Sequence, residues 1–177
     1  MSKGDLELII GPMFSGKTSE LIRRYSRNII AEKNSKIIRY TNDNRYSLTE
    51  IVTHNGIAVE AVSCQKLFEL ELDSDLDTLF IDEVQFYPDA YEFCLEKINE
   101  GINLVVSGLN GTFERVPFPV VSQLVSLATG ITYCKSICHY CKKDNGCYSK
   151  RITKEVHDIV IGGTDKYRAT CKDCYNL

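Results

Sequence analysis

The stretch GPMFSGKT near the amino terminus has residue types and a spacing that can bind a chain of phosphates. Gly11, Gly16, Lys17 and Thr18 match the pattern G-x-x-x-x-G-K-[ST]. Glycines permit a tight turn around an anion, the lysine can reach the β- and γ-phosphates, and the threonine hydroxyl can ligate Mg²⁺. An apolar run precedes the stretch and an amphipathic one follows, so a helix beginning here would direct its N–H groups at the phosphates. The residues predicted to bind ATP are Gly11, Pro12, Met13, Phe14, Ser15, Gly16, Lys17 and Thr18.

Two adjacent carboxylates end another apolar run, TLFIDEVQF. A nucleotide site of this kind needs an acidic residue at the carboxyl end of a neighbouring strand, and Asp82 stands there. Glu83 follows it, and successive side chains at a strand end point to different sides. Asp82 can therefore serve Mg²⁺ while Glu83 addresses a nucleophile. A solvated strand terminus would carry the same residue types.

The chain has eight cysteines. We expect it to stay in a reducing compartment, where disulfides are rare, so these cysteines indicate metal ligands or buried thiols. Two C-x-x-C pairs, separated by 29 residues, form the set Cys138, Cys141, Cys171 and Cys174. Four thiolates leave no open coordination position, which is typical of structural zinc. Cys134 and Cys147 lie close enough in sequence to be rival ligands.

Composition indicates a globular protein of ordinary character. The chain has 177 residues, is 44% hydrophobic and contains no apolar run near the roughly 20 residues of a membrane helix. We find no export signal at the amino terminus and expect a cytoplasmic location. The net charge is −3, although residues 134–177 hold nine Lys/Arg against five Asp/Glu. A basic tail of this size can contact a phosphorylated ligand or simply be solvated.

Short runs rich in Ile, Val and Leu alternate with amphipathic stretches. The predicted strands are LELIIG (6–11), KIIRYT (36–41), TLFID (78–82) and NLVVSGL (103–109), and the predicted helices span about 16–32 and 89–100. This order predicts an α/β fold with a doubly wound, mostly parallel sheet. A further helix is predicted in VSQLVSLATG (121–130), closed by Gly130.

Helical spacing predicts which side chains of the first helix pack on the sheet. The apolar residues at three- and four-residue steps are Leu21, Ile22, Tyr25, Ile29 and Ile30. Beyond residue 133 the pattern changes to paired cysteines and scattered basic residues. We therefore predict two domains, a nucleotide-binding domain over 1–133 and a zinc-binding domain over 134–177.

Taken together, these motifs resemble the cytosolic, zinc-containing thymidine kinases of vertebrates and large DNA viruses, nearest the short viral members. GPMFSGKTSELIRR, DNRY, IDEVQF, GTFERVPF, IGGTDKY and the two cysteine pairs match that family in order and spacing. The resemblance implies transfer of the ATP γ-phosphate to the 5′-hydroxyl of thymidine, giving dTMP for nucleotide salvage and DNA synthesis. It also implies a P-loop domain with a small zinc ribbon that carries a substrate-binding loop, the lasso.

The resemblance assigns roles around the reacting groups. Glu83 matches the general base, and Asp82 and Thr18 match the Mg²⁺ environment. Asp43 and Arg45 match residues that flank the phosphates and the hydroxyl, and Arg45 with Lys17 would supply positive charge. The family usually has glycine where this chain has Val84, so the backbone at Val84 must avoid positive φ.

For the nucleoside base, the resemblance implies aromatic contacts and main-chain recognition. Phe113 and Tyr167 match aromatics that enclose the base, with Met13 and Leu109 nearby. The lasso residues whose main chain would hydrogen-bond the thymine ring are Asp158, Ile159, Val160, Ile161 and Gly162. Zinc would anchor both ends of this loop and so reduce the cost of ordering it.

The family also implies a homotetramer. From composition and charge we expect no nucleic-acid partner and no membrane partner. One rival hypothesis is a nucleic-acid-stimulated ATPase, in which the acidic pair activates water and a basic zinc ribbon contacts phosphates. The overall pI of about 5.7 and the lack of a dense basic stripe argue against it. A non-catalytic zinc module is a third hypothesis, but it leaves the phosphate-binding residues unexplained.

Overall fold

The computed structural model describes residues 3–41, 50–52, 58–154 and 162–177. In chain order the elements are β1 (Leu6–Gly11), α1 (Lys17–Ile30), β2 (Ser35–Tyr40), β3 (Glu50–Val52), β4 (Ala58–Glu60), β5 (Val62–Cys64), β6 (Thr78–Ile81), α2 (Ala90–Glu100), β7 (Asn103–Leu109), α3 (Pro119–Leu127), β8 (Gly130–Tyr133), β9 (Tyr148–Arg151) and β10 (Tyr167–Thr170).

Six strands form one sheet in the order β5-β2-β6-β7-β1-β8, and every neighbouring pair is parallel. Side chains alternate between its faces, so Leu8 packs on one side and Ile9 on the other. The first side is covered by α2 and α3 and the second by α1. The predicted α/β fold with a mostly parallel sheet is confirmed.

The first helix buries less of its apolar face than its spacing predicts. Leu21 and Ile22 are buried against the sheet, and Tyr25 packs on the same core. Ile29 and Ile30 are 47% and 83% exposed, so their predicted packing on the sheet is wrong. Periodicity identifies the face of a helix but does not say how far the sheet extends beneath it.

The third helix also ends differently from its prediction. It closes at Leu127, and Ala128 is extended with φ −68° and ψ 129°. Gly130 instead begins β8, which pairs with β1 beside Glu7. Gly130 does not have the positive φ of a glycine helix cap, so it does not close α3.

Parallel pairing brings the predicted functional segments to one edge of the sheet. Gly11 at the end of β1 is paired with Leu109 at the end of β7, and β6 ends next to β7 at Ile81. The loop after β1 and the acidic pair after β6 therefore meet at the carboxyl edge, where open α/β sheets bind their ligands.

Beyond β8, a two-stranded antiparallel sheet joins β9 to β10. A bridge between Ser136 and Gly146 precedes it. The division into domains at residue 133 stays a prediction. Among the residues that the structure describes, we find no helix with the length and apolar character needed to cross a bilayer.

Candidate active site

The loop between β1 and α1 curves through left-handed backbone conformations. Phe14 and Gly16 have φ of 62° and 79°. Gly11 lies against the chain after β8, since a Cβ there would be 2.3 Å from the Cys134 carbonyl oxygen. Helix α1 begins directly at Lys17, so its first N–H groups face the loop. This arrangement can surround an anion.

Lys17 is held inside this loop. Its Nζ donates to the Pro12 carbonyl at 2.8 Å, and the Ser15 hydroxyl donates to the same oxygen at 2.8 Å. The lysine side chain is buried despite its charge. A phosphate oxygen entering the loop could replace the Pro12 carbonyl as acceptor for the ammonium group.

A hydrogen bond to Asp82 connects the end of β6 with the first turn of α1. The Thr18 hydroxyl donates to Asp82 Oδ2 at 3.0 Å, and the Ser107 hydroxyl on β7 also donates to this carboxylate. The N–H of Glu83 donates to Asp82 Oδ1 at 3.0 Å. A hydroxyl and a carboxylate so placed are oxygen ligands of the kind that Mg²⁺ prefers.

Burial and, after it, the neighbouring Glu83 carboxylate raise the pKa of Asp82 from 3.8 to about 6. The hydrogen bonds from Ser107 and Thr18 and the charge of Lys17 oppose this rise. A cation near Asp82 would favour its ionised form. The Asp82 carboxylate is thus in an environment that a bound divalent ion would stabilise.

Glu83 occupies a strained turn. Its backbone is left-handed, with φ 54° and ψ 46°, and the 3₁₀ turn Val84–Phe86 follows it. Val84 has no positive φ, so the expectation for that position is confirmed. The Glu83 carboxylate accepts a hydrogen bond from Gln85 Nε2 at 2.5 Å. Gln85 Oε1 accepts in turn from the N–H of Leu109 at 3.1 Å.

The aromatic residues predicted to enclose a base share one cation. Arg151 on β9 places its guanidinium carbon 3.8 Å from the Phe113 ring centroid and 5.5 Å from that of Tyr167. Its Nη2 donates to the Tyr167 hydroxyl at 3.0 Å. Both Arg151 and Tyr167 are buried. Phe113 and Tyr167 therefore lie close together because both contact Arg151, a residue outside the motifs noted above.

One face of β9 connects these aromatics to the phosphate loop. Ser149 and Arg151 are both buried, two residues apart on the same face. The Ser149 hydroxyl accepts a hydrogen bond from the N–H of Met13 at 3.0 Å, across 136 positions of sequence. The loop and the aromatic pair are therefore linked through a single short strand.

The carboxyl-terminal residues support the loop that carries Phe113. The Tyr175 hydroxyl donates to the Phe113 carbonyl. Arg115 lies over the rings of Tyr175 and Tyr148, with its guanidinium carbon 4.3 Å and 5.7 Å from their centroids. The loop after β7 is thus fixed by residues that flank the cysteine cluster.

The four predicted cysteines form one cluster. The sulfur atoms of Cys138, Cys141, Cys171 and Cys174 all lie within 4.8 Å of one another. The Cys141 and Cys171 sulfurs are 3.8 Å apart. Tetrahedral zinc with Zn–S bonds of 2.3 Å requires about this separation, roughly 3.8 Å between sulfurs. The donor set fits structural zinc.

Main-chain N–H groups favour a thiolate in this cluster. Burial disfavours the charged form of Cys138, but N–H groups of Cys141, Cys171 and Tyr140, together with the Cys141 thiol, outweigh it and lower the pKa of Cys138. Hydrogen bonding to the other thiols, first that of Cys171, raises the pKa of Cys174. Cys134 and Cys147, the rival ligands, do not belong to the four-sulfur group found among the described residues.

Several predicted residues lie outside the described ranges. They are Asp43, Arg45, Asp158, Ile159, Val160 and Ile161. Gly162 is described and is half-buried beside Lys166. The predicted roles of all site residues stay predictions.

Four residues that contact the site were missed from the sequence: Gln85, Ser149, Arg151 and Tyr175. Gln85 belongs to IDEVQF and Tyr175 follows the last cysteine, whereas Ser149 and Arg151 lie in none of the motifs noted above. Each of the four residues has a contact with a residue at least 24 positions away in sequence, and the longest separation is 136 positions. Two further contacts, from Gln85 to Glu83 and from Arg151 to Tyr167, are closer in sequence. Spacing alone does not reveal such partners.

The strands of this parallel sheet end at the phosphate loop and at an acidic pair whose first member, Asp82, is buried. These features define a P-loop nucleotide-binding protein. Comparison of the sequence with known families narrows the class, because the model of the thymidine kinase family matches residues 4–175. The chain belongs to the thymidine kinase family.

Viral relatives match along nearly the whole chain. It is 43% identical over 176 residues to the thymidine kinase of vaccinia virus (strain Western Reserve), covering 99% of this chain and 98% of that protein. The variola virus (isolate Human/India/Ind3/1967) thymidine kinase shows the same identity and coverage. The thymidine kinase of rabbit fibroma virus (strain Kasza) is 40% identical over the same shares of the two chains.

Proposed function

We propose that this chain transfers the γ-phosphate of ATP to the 5′-hydroxyl of thymidine, giving dTMP for nucleotide salvage and DNA precursor synthesis. The observation that carries the proposal is the contact between Thr18 and Asp82 at 3.0 Å. It joins a phosphate loop to an acidic pair at the carboxyl edge of the sheet, in a chain of the thymidine kinase family.

The phosphate loop and Lys17 would bind the ATP phosphates through main-chain N–H groups and one ammonium group. Thr18 and Asp82 would hold Mg²⁺, directly or through water. When bound, Mg²⁺ neutralises charge on the phosphates. Arg45 is proposed to add positive charge at the γ-phosphate, and Asp43 to lie beside the acceptor hydroxyl.

Glu83 would accept the proton of the thymidine 5′-hydroxyl as the oxygen attacks phosphorus. Its position one residue after Asp82 supports this role, because the two carboxylates share one edge of the sheet. General base catalysis contributes about 10²- to 10⁴-fold to such a step. We expect Glu83→Gln to lower turnover by this range and to leave ATP and thymidine affinities nearly unchanged.

The thymine base would lie against Phe113 and Tyr167, close to Met13 and Leu109. The Arg151 contacts to both rings support this proposal, as does the link from Ser149 to Met13. Main-chain groups of residues 158–162 would bind the base edge and select a pyrimidine. A flat base with few charges is well recognised by aromatic surfaces and main-chain hydrogen bonds.

Structural zinc at the four cysteines would anchor both ends of the lasso. A reducing cytoplasmic location suits this site, because zinc binds thiolates and not disulfides. We also propose a homotetramer, for which the exposed Ile29 and Ile30 on α1 are candidate contact residues. Light scattering of the purified protein would give the subunit number.

The test is phosphate transfer from γ-labelled ATP to a panel of nucleosides. We expect label on thymidine, little on cytidine or purine nucleosides, and almost none with Glu83→Gln. An ATPase activity that DNA stimulates, without label on any nucleoside, would contradict the proposal and favour the rival hypothesis. Normal transfer by Glu83→Gln would remove Glu83 from the role of base.

A further inference from the structure

Gln85 is a buried polar side chain that bridges two parts of the site. It is 7% exposed and lies in the turn after Glu83. Its Nε2 donates to Glu83 Oε2 at 2.5 Å, and its Oε1 accepts from the N–H of Leu109 at 3.1 Å. One side chain thus connects the acidic pair after β6 to the end of β7.

These two partners fix the direction of the Gln85 amide. The N–H of Leu109 can only donate, so the amide oxygen must face it. An ionised carboxylate can only accept, so the amide nitrogen must face Glu83. Both requirements are met by the same orientation, and a flipped amide would lose both hydrogen bonds.

The surrounding residues leave little space for Gln85 to move. A Cβ at Gly108 would lie 3.2 Å from Gln85 Oε1 and 2.8 Å from a methyl carbon of Val84. Val84 is fully buried in the same turn. The glycine on β7 therefore permits the close approach that seats the Gln85 amide against Leu109.

We propose that Gln85 is a positioning residue that holds the Glu83 carboxylate toward the acceptor hydroxyl. The inference rests on the proposed role of Glu83 as the base. A glutamate side chain has three rotatable bonds, and the Gln85 hydrogen bond restricts them before substrate binds. The Glu83 carboxylate is then already ordered when the reaction begins. A misplaced catalytic group can cost about 10²-fold in rate.

The most informative substitution is Gln85→Glu. It keeps the size of the side chain and an oxygen to accept from Leu109, but it replaces the donor facing Glu83 with an acceptor. We expect kcat to fall by about 10²-fold while the KM values for ATP and thymidine stay nearly unchanged. The melting temperature should also fall, because two carboxylates face each other. Gln123→Glu, the same change at an exposed position on α3, is the matched control and should alter neither quantity.

The double variant Glu83→Gln/Gln85→Glu separates positioning from packing. It restores an amide facing a carboxylate, with the two groups exchanged. We expect the melting temperature to recover toward that of the wild type while transfer stays as low as in Glu83→Gln alone.

The outcomes distinguish this inference from the proposed function. If Glu83→Gln keeps normal transfer, the base assignment is wrong and the role of Gln85 is lost with it. If Glu83→Gln is inactive but Gln85→Glu keeps a normal kcat, only the positioning role is overturned. A fall in kcat without thermal recovery in the double variant would also overturn it, since Gln85 would then act independently of Glu83.

Discussion

The guanidinium carbon of Arg151 lies 3.8 Å from the centre of the Phe113 ring. The same side chain donates to the Tyr167 hydroxyl at 3.0 Å. These are the two aromatics proposed to enclose the base, and Arg151 fixes both from a buried position on β9. We therefore expect selection of the nucleoside to depend on Arg151, a residue that is not itself proposed to contact it.

Arg151→Met should weaken thymidine binding. A desolvated cation–π contact and a hydrogen bond together contribute about 1 to 3 kcal/mol, so KM for thymidine should rise roughly 5- to 150-fold. KM for ATP should stay close to the wild-type value. Steady-state kinetics with each substrate varied in turn would measure both.

Lys150→Met is the matched control for Arg151→Met. Lys150 is the neighbouring residue on the opposite face of β9 and lies over Tyr140, away from Phe113. It should leave both KM values unchanged. Equal effects of the two substitutions would mean that the strand as a whole, and not the aromatic contact, is responsible.

Removal of zinc should abolish transfer to thymidine and preserve ATP binding. Thiolate zinc contributes about 10 to 16 kcal/mol in peptide models, enough to hold the carboxyl-terminal segment folded. Tyr175, next to Cys174, donates to the Phe113 carbonyl, so loss of the metal should also release the Phe113 loop. Chelation followed by transfer assays and by titration with an ATP analogue would measure the two effects.

Cysteine variants supply the control for chelation. Cys171→Ser should lower zinc content and transfer together, because its sulfur belongs to the cluster. Cys147→Ser should retain one zinc per chain and normal transfer. Unchanged thymidine kinetics in zinc-free protein would contradict the anchoring role.

Asp82→Asn should change the pH dependence of stability in protein without Mg²⁺ or ATP. Burial, followed by the Glu83 carboxylate, raises the folded-state pKa of Asp82 from 3.8 to about 6. The folded state therefore binds this proton more tightly than the unfolded state. The contribution of Asp82 to stability is complete below pH of about 4 and is lost as pH rises through about 6.

The asparagine variant does not titrate, so its melting temperature relative to the wild type should increase between pH 4 and pH 7. Because the variant also loses hydrogen bonds at position 82, the test is the change in this difference between pH 4 and pH 7, not its value at one pH. Thermal melting across this range would test the sign, and a constant difference would show that Asp82 titrates normally.

The local motifs of this chain could be identified from sequence because their chemistry is set by neighbouring residues. A phosphate loop needs glycines and a lysine at fixed spacing, as at Gly11 and Lys17. The acidic pair followed an apolar run, and the four cysteines occurred as two close pairs. Short apolar runs likewise predicted the parallel sheet, since strands covered on both faces need continuous hydrophobic residues.

Errors arose where the extent of packing decided the outcome. Ile29 and Ile30 continue the helical period of α1, yet they are exposed. Gly130 resembles a helix cap, but it begins β8 because it pairs with Glu7 on β1. Periodicity and composition are local properties, whereas both results depend on residues far away in sequence.

The sequence by itself determined the phosphate loop, the carboxylates and the cysteine set, because each is specified within a few consecutive residues. Only the tertiary structure decided which side chains support these motifs. Gln85 contacts Leu109, Arg151 contacts Phe113, and Ser149 contacts Met13. Those contacts form when strands distant in sequence align at one edge of the sheet. Their geometry depends on strand order and register, which no short stretch of this chain contains.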